Sequence, residues 1–122
     1  MTNANDSTDL EGTEMISFGI IANAGVARSL AFEALAKARK GDFDGAHDLL
    51  DQSKASSLEA HHQQTELISN EARGNHTPVD VMLVHAQDHL MTAMLAQELI
   101  EELVRLYEVK ADRGEVVAEK QG

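Results

Sequence analysis

The sequence has no cysteine, no tryptophan, one proline, three phenylalanines and one tyrosine. Without cysteine there are no disulfides, no thiolate metal sites and no thiol nucleophile. The absence is compatible with a cytoplasmic location, where thiols stay reduced. Positive charge is scarce too: 10 Lys and Arg stand against 21 Asp and Glu, a formal net charge of -11. A nucleic-acid backbone requires a basic footprint, so no nucleic-acid partner is expected. An anionic membrane surface is disfavoured for the same reason. No uninterrupted apolar run approaches the roughly 20 residues of a membrane span, so no membrane insertion is expected. The opening MTNANDSTDLEGTE lacks the basic start and apolar core of a secretory signal.

What is present favours helices. The 122 residues are enough for one domain. Ala, Leu, Glu, Gln and Met are good helix formers, and with so few aromatics the core must be aliphatic. Residues 1–12 are polar and acidic and read as a disordered tail. A first helix is expected from a Thr13 cap to about Lys40, closed by Lys37, Arg39, Lys40 and a left-handed Gly41. Gly19 and Gly25 inside it predict close helix packing. Asp42 caps a second helix running to about Arg73. Its stripe of Phe43, Ala46, Leu50, Ser53, Ser57, His61, Gln64 and Ile68 is apolar at both ends and polar in the middle. A third helix is expected to open at Thr77–Pro78, with Asp80 completing an Asp variant of the capping box, and to end near Arg113. Residues 114–122 read as a frayed C-terminus. Short connections make neighbours antiparallel. The expected fold is all-α: an up-down-up three-helix bundle over residues 13–113. GDFDGA resembles one tetratricopeptide turn, but such repeats need several copies.

The third helix is the informative one. Val81, Val84, Asp88, Met91 and Leu95 share one narrow seam. Asp88 therefore takes a place suited to a large apolar residue. Either the seam faces water there, or a carboxylate is buried at a cost that calls for pairing or metal. Leu83, Leu90, Met94 and Gln97 form a second, mainly apolar face. Two such faces need two partners: one inside the bundle, the other in another subunit. In a threefold assembly three Asp88 carboxylates would meet, and their repulsion calls for a divalent cation or a bound proton.

His85 and His89, at i and i+4, point to one side of this helix. A neutral imidazole can act as proton carrier, metal ligand or nucleophile. The spacing is that of a zinc-binding helix, but Ala86 stands where HExxH needs its Glu. Glu59 and His62 make one E-x-x-H unit; a di-iron bundle needs two, plus further glutamates from four helices. His47, His62 and His76 read as polar-face or edge residues, and His61 lies in the polar middle of the second stripe.

VHAQDHLM, with ARSLAFEALAKARKGDFDGAHDLL upstream and EAHHQQTELI between, resembles the lactose/cellobiose family of IIA components of the bacterial phosphoenolpyruvate-dependent sugar phosphotransferase system. The resemblance covers about residues 14–110, and every motif residue of HxQDHLM is present. It implies a homotrimer joined through the long helices. It matches the family's phosphorylated histidine to His85, carrying phosphate on Nε2. It matches the axial aspartate to Asp88, shared by three subunits around a metal ion, for which carboxylate oxygens favour Mg²⁺ or Ca²⁺. The implied partners are the histidine-containing phosphocarrier protein as donor and a IIB cysteine as acceptor, for uptake of a β-linked disaccharide. The ARSLA stretch leans towards the cellobiose or chitobiose branch over lactose. Gln87, His89 and, across a subunit groove, His61 or Gln64 are candidates to support the phosphoryl oxygens. Two other readings of the residues are a helical protein-interaction module and a metal enzyme built on His85 and His89.

Overall fold

The computed structural model describes residues 4–114, with side chains from residue 12 onward. It contains three helices: α1 (Ala4–Arg39), α2 (Phe43–Ala72) and α3 (Val81–Asp112). No strand occurs among the described residues. The expected all-α up-down-up bundle is therefore the observed one. α1 packs broadly against both other helices, while α2 and α3 share a narrower seam.

Local chemistry sets two of the boundaries as expected. Gly41 has φ +83°, the left-handed turn that ends α1. Asp42 caps α2, its Oδ1 accepting the Gly45 N–H at 3.0 Å. Two other starts differ from expectation. α1 begins at Ala4 and runs through Thr13 without a break, so Thr13 is no cap. The stretch before it holds no proline, and extending a formed helix adds one hydrogen bond per residue fixed. The tail expected over residues 1–12 is thus helical from residue 4. Residues 1–3 and 115–122, including most of the expected frayed end, lie outside the described residues. α3 begins at Val81, not at Thr77–Pro78. Pro78 disfavours helical geometry at Thr77, and the Thr77 N–H is taken by Glu71 Oε2 at 3.1 Å. Asp80 is the cap instead, extended at φ -128°, with Oδ1 accepting the Leu83 N–H at 2.8 Å.

The core is aliphatic and in two parts. Ile20, Ala24, Ala60, Leu67, Leu83, Ala86, Leu90 and Ala93 fill the end that holds the start of α3. Ala31, Ala34, Ala38, Ala46, Leu50, Ile100 and Val104 fill the other. Between them lies a polar waist. Ser53 Oγ donates to the Ala27 carbonyl at 2.6 Å, and Ser57 Oγ donates to Gln97 Oε1 at 2.6 Å. This is the polar middle of the α2 stripe, and its buried hydroxyls are satisfied as burial demands. Further along, Ala60 and not His61 turns inward. The two lie about 50° on either side of the stripe at 3.6 residues per turn. Spacing cannot choose between them, and burying a methyl avoids desolvating an imidazole.

Gly19 lies against the Gln63 side chain, where a Cβ would collide, so close packing holds there. Gly25 has open space within the chain, and the same expectation fails for it here. By length and mean hydropathy, Gly12–Arg39 passes as a membrane span. The uninterrupted-run criterion missed this because Ser17, Asn23 and Arg28 punctuate the stretch. Ile20, Ala24, Ala27, Ala31, Ala34 and Ala38 form the face buried against α2 and α3.

Candidate functional site on α3

Asp80 fixes where α3 starts, and the start fixes where His85 stands. His85 is the fifth residue of the helix, just past the first turn. That is nearer the positive helix end than a start at Thr77 would give. Helical side chains lean toward the N-terminus, so the ring stands over the first turn. There the helix dipole favours negative charge.

His85 is exposed, and its ring meets that of His89 edge to face, with centroids 4.2 Å apart and planes at 80°. His89 is half-buried. The two rings pack against each other rather than converge on one point. Among the described residues no three His, Cys, Asp or Glu side chains gather to hold a metal ion. The zinc-helix and di-iron readings therefore find no ligand set among the described residues of one chain.

Of the other candidates, Gln64 and Gln87 are brought together but away from His85. Gln64 Nε2 donates to Gln87 Oε1 at 2.5 Å across the α2–α3 seam. Gln87 is two residues from His85, which at 3.6 residues per turn puts the two side chains about 160° apart. Gln64 is 8% exposed, with its amide nitrogen spent on Gln87. His61 is exposed on α2, and its backbone carbonyl accepts the Thr65 hydroxyl. Within one chain it is not joined to His85 by a hydrogen bond. Asp88 is exposed, and its backbone carbonyl accepts the Thr92 hydroxyl at 2.9 Å.

The two faces of α3 separate as the spacing predicts. Leu83 and Leu90 are buried, whereas Val81, Val84, Met91 and Leu95 are exposed. Leu99, Leu103, Leu106 and Val109 continue that outward row. An apolar row of this length, interrupted at Asp88, marks an interaction surface.

Sequence reasoning missed the Glu71 clasp. Glu71 Oε1 accepts the His76 Nδ1–H at 2.7 Å, and its Oε2 accepts the Thr77 N–H. The Thr77 N–H, then the hydrogen bond from His76, holds the Glu71 carboxyl below the usual carboxylate range. The E-x-x-x-x-H-T spacing was the only available signal, and it is not distinctive. A cleft of about 560 Å³ near this clasp is lined by residues including Ile16, Leu67, Asn70, His76 and Pro78, and not by His85. The imidazole thus lies on an open helix surface, suited to a macromolecular partner.

Residues 15–108 match the family model described as the lactose/cellobiose-specific IIA subunit of the phosphotransferase system. An N,N'-diacetylchitobiose-specific EIIA component of Escherichia coli K12 is 50% identical over 101 residues, covering 83% of this chain and 87% of that protein. The crystal structure of a cellobiose-specific enzyme IIA from Bacillus anthracis superposes with a TM-score of 0.78 at 41% identity, covering 92% of this chain and 95% of that one. A solution structure from Escherichia coli shows a chitobiose IIA in complex with HPr. It matches with a TM-score of 0.69 at 50% identity, covering 79% of this chain and 93% of that one.

Proposed function

We propose, from the premise that this chain belongs to the lactose/cellobiose IIA family of the sugar phosphotransferase system, that it carries phosphate on His85 during uptake of a β-linked disaccharide. The observation that supports His85 is its place on α3: of the two histidines there it is the exposed one and His89 is half-buried, while the exposed His47 and His76 are each paired with a carboxylate. The donor in this reading is the histidine-containing phosphocarrier protein, the HPr found in complex with the chitobiose IIA of Escherichia coli. The acceptor is a cysteine of the IIB component. The chain works in the cytoplasm, and the sugar is of the cellobiose or chitobiose kind.

The chemistry is two in-line displacements. The Nε2 lone pair of neutral His85 attacks the donor's phosphorus; a new P–N bond forms, and the donor's P–N bond breaks with its pair returning to the donor imidazole. In the second step the IIB thiolate attacks, a P–S bond forms, and His85 recovers its lone pair. The transition state is loose, so positioning governs the rate. An exposed ring lets two proteins reach it in turn. His89 packs against His85 and limits its rotation, and the nearby helix end favours the added negative charge.

The outward row of α3 supports a homotrimer about that row, with Asp88 at the axis. In such an assembly Gln87 of one copy lies on the flank of α3 that faces the next. Three Asp88 carboxylates would supply an all-oxygen cradle for a divalent cation such as Mg²⁺. One chain offers only one such carboxylate, so this cation belongs to the assembly.

The test is direct. The chain is incubated with phosphoenolpyruvate and the two general phosphotransferase proteins, and its intact mass is read. One added phosphate, mapped to His85, is the expected result. No added phosphate, or phosphate on another histidine, overturns the reading.

A further inference from the structure

Gln64 is an amide in an otherwise largely apolar part of the bundle, level with Leu67 and Ala60. A buried amide needs a partner, and its nitrogen has one: the Gln87 carbonyl oxygen. This bond has a chemical consequence. With Oε1 of Gln87 engaged inward, the other end of the same planar amide, its NH₂, is turned away from Gln64. An amide without such a partner can rotate and present either its donor or its acceptor.

The direction of that NH₂ follows from the helix. Relative to Asp88, His85 lies about 60° to one side of α3 and Gln87 about 100° to the other, at 3.6 residues per turn. In a threefold assembly about the Asp88 row, each α3 turns one flank to the preceding copy and the other to the following copy. The His85 flank of one copy therefore adjoins the Gln87 flank of the next. The two residues differ in height by only about 3 Å at 1.5 Å per residue.

We propose that Gln64 is a positioning residue for phosphoryl transfer: its hydrogen bond fixes the Gln87 amide with the NH₂ outward, as a donor to phosphoryl oxygens on His85 of the next copy. The inference rests on the phosphocarrier reading and on the trimer. Gln64 itself never touches phosphate. Gln87 supplies a neutral donor whose orientation is set before the phosphoryl group arrives, the arrangement by which fixed dipoles stabilise developing charge.

The experiment changes what residue 64 can offer Gln87: Glu keeps the length of Gln64, and Lys is one bond longer. Gln64→Glu, assayed as the carboxylate, can only accept, so it draws the Gln87 NH₂ inward and turns the carbonyl out. Gln64→Lys can only donate, so it keeps the native orientation. Single-turnover transfer from the phosphorylated carrier protein is measured at saturating donor. Gln64→Glu is expected to slow transfer about tenfold or more with donor affinity unchanged, and Gln64→Lys to stay within about threefold of the wild type. Equal rates in the two variants, equal losses, or a larger loss in Gln64→Lys overturns the inference. Should either variant lose its helical circular dichroism, side-chain amide exchange in the wild-type chain decides. Protection of the Gln64 NH₂ with free exchange at Gln87 supports the proposal, and any other pattern refutes it. A wild type that takes no phosphate on His85 instead removes the functional reading, and the NMR result still reports the orientation of the pair.

Discussion

Glu71 shows how much a single exposed carboxylate can organise. It accepts from His76 and from the Thr77 backbone, and so ties the end of α2 to the chain entering α3. These bonds favour its ionised form and lower its pKa on folding. The sign of the linkage follows. Its stabilising contribution is fully present above the ordinary carboxylate range and disappears as the pH falls through its folded-state value. Glu71→Gln should therefore lower stability at neutral pH, with the gap to wild type closing on acidification. Urea unfolding at a series of pH values measures it, and a gap independent of pH would contradict the clasp. The same scale explains why His47 and His76 are unsuited as carriers. Each is paired with a carboxylate, Glu108 and Glu71 respectively, at 2.7 Å, whereas His85 keeps its nitrogens clear of any ion pair among the described residues.

Among the elements, α3 does the most. Its start is set by Asp80, whose side chain satisfies one of the first backbone N–H groups. Asp80→Ala should cost about 1 kcal/mol of stability, measurable by urea unfolding, and should fray the turn over which His85 stands. No change in stability or in amide exchange at Leu83 would contradict the cap. This element also shows where sequence reasoning stops. Its length and its two faces were legible, because 3.6-residue periodicity separates Leu83 and Leu90 from Val81, Val84 and Leu95. Its start was not, because Thr77–Pro78 and Asp80 are both good initiators. The Thr77 N–H, six residues past Glu71, donates to Glu71 Oε2, and this bond accompanies the choice of the later one. α2 behaved similarly. Its polar centre was visible as Ser53 and Ser57, but not which groups would accept from them, since Ala27 and Gln97 come from other helices. Among the site residues, His85 and Asp88 stood out from spacing and motif. The Gln64–Gln87 bond did not, because 23 residues separate the two in sequence.

On the scale of the whole molecule, two properties matter: an apolar row left outside the core, and a net charge of -11. The row calls for burial, and a threefold assembly through α3 would bury it at the level of Asp88. Asp88→Leu then exchanges converging like charges for apolar packing. By the logic that governs buried charges, it should keep or raise trimer stability, as read by sedimentation against protein concentration. A fall to monomers would contradict the axial position. A chelator should lower wild-type trimer stability and leave Asp88→Leu unmoved, a readout independent of phosphate transfer; equal response would remove the cation. The charge orients the partners, since an acidic carrier is best met by basic surfaces, which speed encounter more than they add affinity. The most direct measurement of the central claim is phosphate incorporation by His85→Ala, checked first for wild-type helicity and assembly. Complete loss of phosphate acceptance from the phosphorylated carrier protein is the predicted result. Stoichiometric labelling of His85→Ala would contradict it.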